Sequence, residues 1–227
     1  MPQPSDIQSE TPQQLYVVPP LQARSRRTLE RLTAAALRIL GTVGLDGLTM
    51  QGLADEAGVS VGAMYGRFAG KEPLLQYLSA HLAAARTERW DVEIAQLDRG
   101  ETRDLAETVE ALVHAVHATI QIDGAVYRQL RQALPATEAE ALHLELAMRG
   151  DVRRQLEACR GAIRHPQPDQ ALMFATDVIF QLTVAEGPDA PEGESRAALV
   201  ADLIARYLGG GTPAEPEGGV EFFDVWG

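Results

Sequence analysis

The side chains with the clearest capacity for chemistry are two histidines, an aspartate and one cysteine in the second half of the chain. His114 and His117 would share one face of a helix, a spacing that could place two imidazoles on one metal ion. Because no acidic or thiol partner lies near them in sequence, we expect no metal site and no bound cofactor. Cys159 is the single cysteine, so it cannot form an internal disulfide, and we expect a buried structural thiol.

Catalysis has little support in the sequence. His114, His117 and Asp177 are the only obvious catalytic groups, and we find no nucleophile motif, phosphate-binding loop or metal quartet. We therefore predict that the chain is not an enzyme. Hydrolase or redox activity lost on His117→Ala would contradict this prediction.

The elements that position these groups are predicted to be helices throughout. Apolar residues recur at spacings of three and four from Leu29 to Val43, and β-branched alternation is nearly absent. Thr49 and Ser60 are suitable N-caps for two short helices, with Gly58 in a left-handed turn between them. We predict an all-α fold of about nine helices, three of them in an N-terminal domain. Six more are placed near 71–98, 103–122, 125–134, 138–163, 169–186 and 194–208, where Thr137 and Glu140 form a plausible capping box.

The composition divides the chain into four segments. Residues 1–23 are predicted to be a disordered arm, 24–70 a helix-turn-helix domain, 71–208 a second helical domain, and 209–227 a flexible tail. The net charge of −12 is unevenly placed, because residues 21–75 hold seven basic and five acidic side chains, whereas residues 76–227 hold thirteen and twenty-five. The N-terminal domain can therefore meet an anionic partner although the whole chain is acidic.

The stretch LTMQGLADEAGVSVGAMYGRFAGKEPLL, residues 48–75, closely resembles the DNA-binding signature of the TetR family, and the resemblance extends back over the first helix. The chain departs from the usual pattern at Leu53, Ala63, Met64 and Gly70. The matching positions are Thr49, Ala54, Ala57, Gly58, Val59, Ser60, Gly62, Tyr65, Phe68, Lys71, Glu72 and Leu74.

This resemblance implies a DNA-binding transcriptional regulator whose third helix, beginning at Val61, enters the major groove. Tyr65 and Lys71 are suited to holding phosphates without reading sequence. Gln51 and Arg67 are the best candidates for reaching base edges, although Arg67 could equally hold phosphate. The full set of predicted DNA-binding residues is Thr49, Gln51, Ser60, Val61, Gly62, Ala63, Tyr65, Arg67, Lys71, Arg24 and Arg26.

Some of these positions have a second interpretation. Val61, Gly62 and Ala63 lack polar side chains and offer only close backbone approach or contact with thymine methyls. The arginines at positions 24, 26 and 27 could reach the DNA backbone or minor groove, or form an ordinary solvated face.

The resemblance also implies a homodimer and a small-molecule effector. The last two helices of the body are apolar over a broad face, which favours pairing with a second copy, although packing within the chain would give the same pattern. Polar or bulky residues interrupt the apolar faces of the second domain. The predicted ligand-lining residues are His114, His117, Gln121, Tyr127, Met148, Phe174 and Asp177.

Two features of the sequence concern the cellular location of the protein and its possible partners. No segment has the length and apolarity of a membrane helix or signal peptide, so we expect a cytoplasmic protein without a membrane partner. The terminal VEFFDVWG follows a Gly-rich linker and could dock on the body or on another protein, which leaves control by a protein partner as an alternative to a metabolite. The resemblance also favours repression over activation, because an occupied operator blocks polymerase without further contacts.

Overall fold

The computed structural model describes residues 23–99, 103–134, 138–184 and 195–209. The predicted N-terminal arm, the Thr137 capping box and the VEFFDVWG tail lie outside these residues. The described residues form ten α-helices and no strand, which confirms the all-α prediction. They are α1 (Ala23–Thr42), α2 (Gly44–Gly47), α3 (Met50–Ala57), α4 (Val61–Tyr65), α5 (Lys71–Arg99), α6 (Leu105–Gln121), α7 (Gly124–Ala133), α8 (Glu138–Ala158), α9 (Pro168–Val184) and α10 (Arg196–Gly209).

Two details differ from the predicted elements. The single-turn helix α2 was not predicted, because four residues in a Gly-rich stretch show no apolar period. Helix α8 ends at Ala158, and the chain continues as a 3₁₀ turn from Arg160 to Ala162. The Cys159 amide donates to the Leu156 carbonyl at 3.0 Å, an i−3 partner, so the α-helical pattern stops there.

The chain divides into two compact units. The first contains the described residues up to Glu93 together with those from Ala118 to Ala147; the second contains Ile94–His117 and the described residues from Met148 onward. In the first unit, α1 packs against α2, α3 and α7. Its core consists of apolar side chains from these helices, from α4 and the segment after it, and from the first turns of α5. It includes Leu32, Leu40, Leu53, Met64, Phe68, Leu74, Leu78 and Leu130.

A cluster of buried charges lies in the first unit at the turn between α6 and α7. The Arg86 and Arg89 guanidiniums each contact one oxygen of the Asp123 carboxylate at 2.6 Å. Arg86 also donates to the Ile120 carbonyl at 3.0 Å and stacks over the Tyr127 ring at 3.8 Å from its centroid. Only 7% of Arg86 is exposed, so burial lowers its pKa while the Asp123 carboxylate opposes that shift.

The second unit is built around the pair α9 and α10. Small and branched side chains such as Ala175, Ile179, Val200 and Ile204 are buried on these helices. Larger apolar side chains on the same two helices stay exposed, namely Met173, Phe174, Leu182, Leu199 and Leu203. The apolar faces of both helices are therefore wider than their described packing requires.

Candidate nucleic-acid interface

Helix α3 begins where the sequence predicts it. Thr49 has an extended backbone, and its hydroxyl accepts a hydrogen bond from the Gly52 amide at 3.0 Å. This bond pairs one of the amides that the first turn of a helix leaves without a partner. Leu53, Ala54 and Ala57 are buried beneath the helix, so its opposite face, with Gln51 and Asp55, meets solvent.

The turn between α3 and α4 requires glycine for two reasons. Gly58 has φ 60° and ψ 41°, the left-handed region that disfavours other residues. Its carbonyl accepts a hydrogen bond at 2.8 Å from Nη2 of Arg31 on α1, and a Cβ at Gly58 would lie 2.6 Å from that nitrogen. A larger residue would strain the backbone and displace the guanidinium together.

Helix α4 buries one face and exposes the other. The Ser60 hydroxyl caps it by accepting from the Ala63 amide at 3.2 Å. Met64 is fully buried, whereas Gly62, Ala63 and Tyr65 are exposed and Val61 is half-buried. Tyr65, with 51% of its surface exposed, is therefore not a core residue. The exposed face is smooth enough for the backbone of α4 to approach a flat or grooved partner closely.

Lys71 and Gln51 already have partners within the protein. The Lys71 ammonium donates to the Leu45 carbonyl at 2.8 Å, which anchors α5 to the carbonyl end of α2. Since an ammonium has three N–H donors, this bond leaves Lys71 able to contact an anion as well. The Gln51 amide donates to both oxygens of Asp55, at 3.0 and 3.2 Å, and would have to leave that carboxylate to donate to a base edge.

The remaining predicted positions lie on the same unit. Arg26 is exposed on α1, and Arg67 is half-buried just after α4. Arg24 is in the first turn of α1, and its side chain lies outside the described part. Sequence reasoning missed Arg31, because nothing local connects a residue of α1 with a turn 27 positions away.

The predicted ligand-lining residues are divided between the two units. Tyr127 is buried beneath Arg86 in the first unit, where Gln121 is exposed at the end of α6. In the second unit Met148 is buried, whereas Asp177 is exposed and its carboxylate pairs with Arg149 at 2.6 Å. Phe174 is also exposed, with its ring centroid 5.3 Å from that of Tyr207.

The two candidate metal-binding histidines differ in environment. His114 is exposed, while His117 is half-buried and its pKa is lowered, first by burial and then by the nearby His114. The His117 Nδ1 atom is buried without a hydrogen-bond partner among the described residues. No group of three His, Cys, Asp or Glu side chains that could hold a metal occurs in the part of the chain that the structure describes. Within that part no helix is long and apolar enough to span a membrane.

These features define a helix-turn-helix protein: two capped short helices, a left-handed glycine turn and an exposed second helix. Residues 32–78 match the family model described as bacterial regulatory proteins of the tetR family. Two solved structures share the fold. The TetR-family regulator PfmR from Thermus thermophilus is 17% identical, with a TM-score of 0.55 over 78% of this chain and 97% of that one. The fatty acid degradation regulator FadR from Bacillus halodurans is 16% identical, with a TM-score of 0.54 over 81% and 95%.

The comparison with curated proteins gave no match. The matched segment contains every element of the helix-turn-helix, and the shared fold extends over most of the chain. Residues 32–78 are therefore similar in sequence to the tetR family of bacterial regulatory proteins, and the chain shares its fold with these two regulators.

Proposed function

We propose that this protein binds operator DNA as a homodimer, represses transcription, and is released when a small molecule binds its second domain. The observation that carries the proposal is the exposed face of α4, which Met64 and the Ser60 cap hold in place. Residues 24–70 would act as the DNA-binding domain and residues 71–208 as the ligand-binding and dimerisation domain. Because its partner would be chromosomal DNA, the protein would work in the cytoplasm, as a binding protein rather than an enzyme.

Some of the proposed contacts would read the base sequence, and the others would position the protein on the DNA backbone. Val61, Gly62 and Ala63 would let α4 lie close to base edges and thymine methyls, with Gln51 and Arg67 supplying polar contacts. Thr49 and Ser60 cap the N-termini of α3 and α4, and both residues are exposed to solvent. Tyr65 and Lys71 would hold phosphates, with Arg24 and Arg26 on the DNA backbone or minor groove.

The first experiment is selection of duplexes from random DNA with the wild-type protein, followed by fluorescence anisotropy at several salt concentrations. Tight binding that weakens steeply with salt supports the proposal, because phosphate contacts release counterions. A folded dimer that retains no duplex at low salt would overturn it.

Tyr65→Phe is expected to weaken DNA binding about tenfold or more, and equally for selected and unrelated duplexes. The substitution keeps the exposed ring and removes only the hydroxyl, and a hydrogen bond to a charged group contributes roughly 1.5–3 kcal/mol. Affinities measured by anisotropy at one salt concentration test this. Tyr207→Phe removes the same atom from α10 and should change the affinity by less than about twofold. An unchanged affinity for Tyr65→Phe would remove this residue from the interface.

A cognate effector is expected to stabilise the protein and to release its DNA. At 100 times its dissociation constant, a ligand that binds only the folded state adds about 2.7 kcal/mol, which raises the Tm of a chain of this size by roughly 5–10 °C. His117 is the favoured polar contact, because its buried Nδ1 lacks a partner among the described residues. A thermal-shift screen followed by anisotropy measures both effects. Compounds that raise the Tm without changing DNA affinity would contradict effector control.

Dimerisation is proposed through α9 and α10. Phe174, Val178 and Leu182 are spaced by four residues on α9, as are Leu199 and Leu203 on α10, so each set forms an apolar stripe. Apart from half-buried Val178, these side chains are exposed, and a second copy would cover them. A dimer places two copies of α4 on neighbouring half-sites, which one short helix needs for specificity.

A further inference from the structure

An open groove of about 440 Å³ lies beside the turn that joins α3 and α4. Its walls are Arg27, Thr28 and Arg31 of α1, the turn residues 58–60 and Ala63 of α4. The volume is many times the roughly 30 Å³ that one water occupies, so a larger group can enter. The groove therefore opens beside the exposed face of α4, with which it shares Ala63.

Two arginine side chains give the groove a positive charge that no carboxylate in the described part of the chain neutralises. Arg27 and Arg31 lie four residues apart on one side of α1, where like charges repel each other. Within the described ranges neither guanidinium forms an ion pair with a carboxylate. By contrast, Arg38 on the same helix pairs with Glu56 at 3.0 Å. An anion between the two guanidiniums would relieve their repulsion.

Arg31 is held in place before any anion arrives. Its Nη2 donates to the Gly58 carbonyl at 2.8 Å, which ties α1 to the turn. A guanidinium has five N–H donors in a planar fork, and the carbonyl occupies one of them. The remaining donors are therefore presented at the groove by a side chain that has already lost much of its rotamer freedom.

We propose that this groove binds a phosphate group of the DNA backbone, held by Arg27 and Arg31, and that Arg31 also positions the α3–α4 turn. The inference rests on the proposed function and names the contact that would fix the register of α4. Phosphates border the major groove, so a helix that enters it brings its flanking surfaces against them. The occupant is therefore a phosphodiester of the same duplex that α4 reads.

The test combines protein variants with duplexes that carry one neutral methylphosphonate at a time. With wild-type protein, one position in each half-site should lose at least tenfold in affinity when its phosphate is neutralised. Arg27→Gln should bind the unmodified duplex at least tenfold more weakly and lose nothing further at that position. The slope of log K against log salt should become shallower by about 0.9 for each half-site. Arg31→Gln should abolish the same signature, and Arg31→Lys should restore part of it by returning the charge.

Arg153→Gln is the matched control, since it removes an exposed arginine from α8 in the second unit. It should keep the wild-type affinity and the wild-type methylphosphonate profile. If the wild type selects a duplex but every methylphosphonate effect persists in Arg27→Gln, the groove proposal is overturned while the proposed function stands. If the wild type retains no DNA, both are overturned.

Discussion

Asp123→Asn is expected to lower the free energy of unfolding by about 3–5 kcal/mol, because it leaves two largely buried guanidiniums without a counter-charge. The Arg86 and Asp123 side chains are 9% and 12% exposed, and each pair in the cluster meets at 2.6 Å. Asparagine keeps the size of the side chain but replaces one acceptor oxygen with an NH₂ group, which would face an arginine donor. The Tm should fall by roughly 10 °C for a chain of this length.

The control for this prediction is Glu56→Gln in the same unit. Glu56 pairs with Arg38 at 3.0 Å, but the two side chains are about half exposed, so the loss should be about 0.5 kcal/mol or less. Both variants should be unfolded by urea at one protein concentration, since dimer dissociation makes stability depend on concentration. If Asp123→Asn lowers the free energy of unfolding by less than about 1 kcal/mol, water must replace the carboxylate in this cluster.

The ion pairs of Asp123 hold the turn between α6 and α7 in place. It occupies the position before α7, yet its side chain makes no capping bond with that helix. Its carboxylate contacts the arginines of α5 instead. The start of α7 is therefore held by α5, and α7 in turn packs against α1 and α2, with the Gln129 amide 3.4 Å from the Leu40 carbonyl that it donates to.

If the chain dimerises as proposed, Leu203→Glu is expected to weaken that homodimer about 100-fold or more and to reduce the affinity for the proposed operator with it. Leu203 is 51% exposed on α10, one helical turn from exposed Leu199. In the proposed interface the substitution would remove an apolar contact and bury a carboxylate without a partner. Sedimentation equilibrium over a dilution series gives the dimer dissociation constant, and anisotropy at matched concentrations gives the DNA affinity.

Leu146→Glu provides the comparison, because Leu146 on α8 is 58% exposed, slightly more than Leu203, and the charge change is identical. It should leave both the dimer constant and the DNA affinity close to wild type. Retention of the dimer by Leu203→Glu, or loss of the dimer by Leu146→Glu, would place the interface elsewhere. A monomeric Leu203→Glu that still binds a full operator with wild-type affinity would separate dimerisation from DNA binding.

Much of the helix-turn-helix could be predicted from the sequence, because the interactions that form it are local. The Thr49 and Ser60 caps each join residues three positions apart, and the left-handed Gly58 ends α3 at its own position. Helical periodicity likewise depends on neighbours within a turn or two, which is why the all-α prediction and the bounds of α3 and α5 hold. The resemblance of residues 48–75 to a known DNA-binding signature supports the same prediction, and it too can be recognised from the sequence without knowledge of the tertiary contacts.

The contacts between residues that are distant in the chain could be found only in the tertiary structure. Arg31 meets Gly58 across 27 positions, and Arg86 meets Asp123 across 37, with no pattern in the sequence to pair them. Packing also placed α7 against α1 and left Phe174 and Asp177 at the surface. Caps and periods follow from the backbone of a few neighbouring residues, whereas the partner of a long charged side chain is chosen by which helices pack together and how much water they exclude.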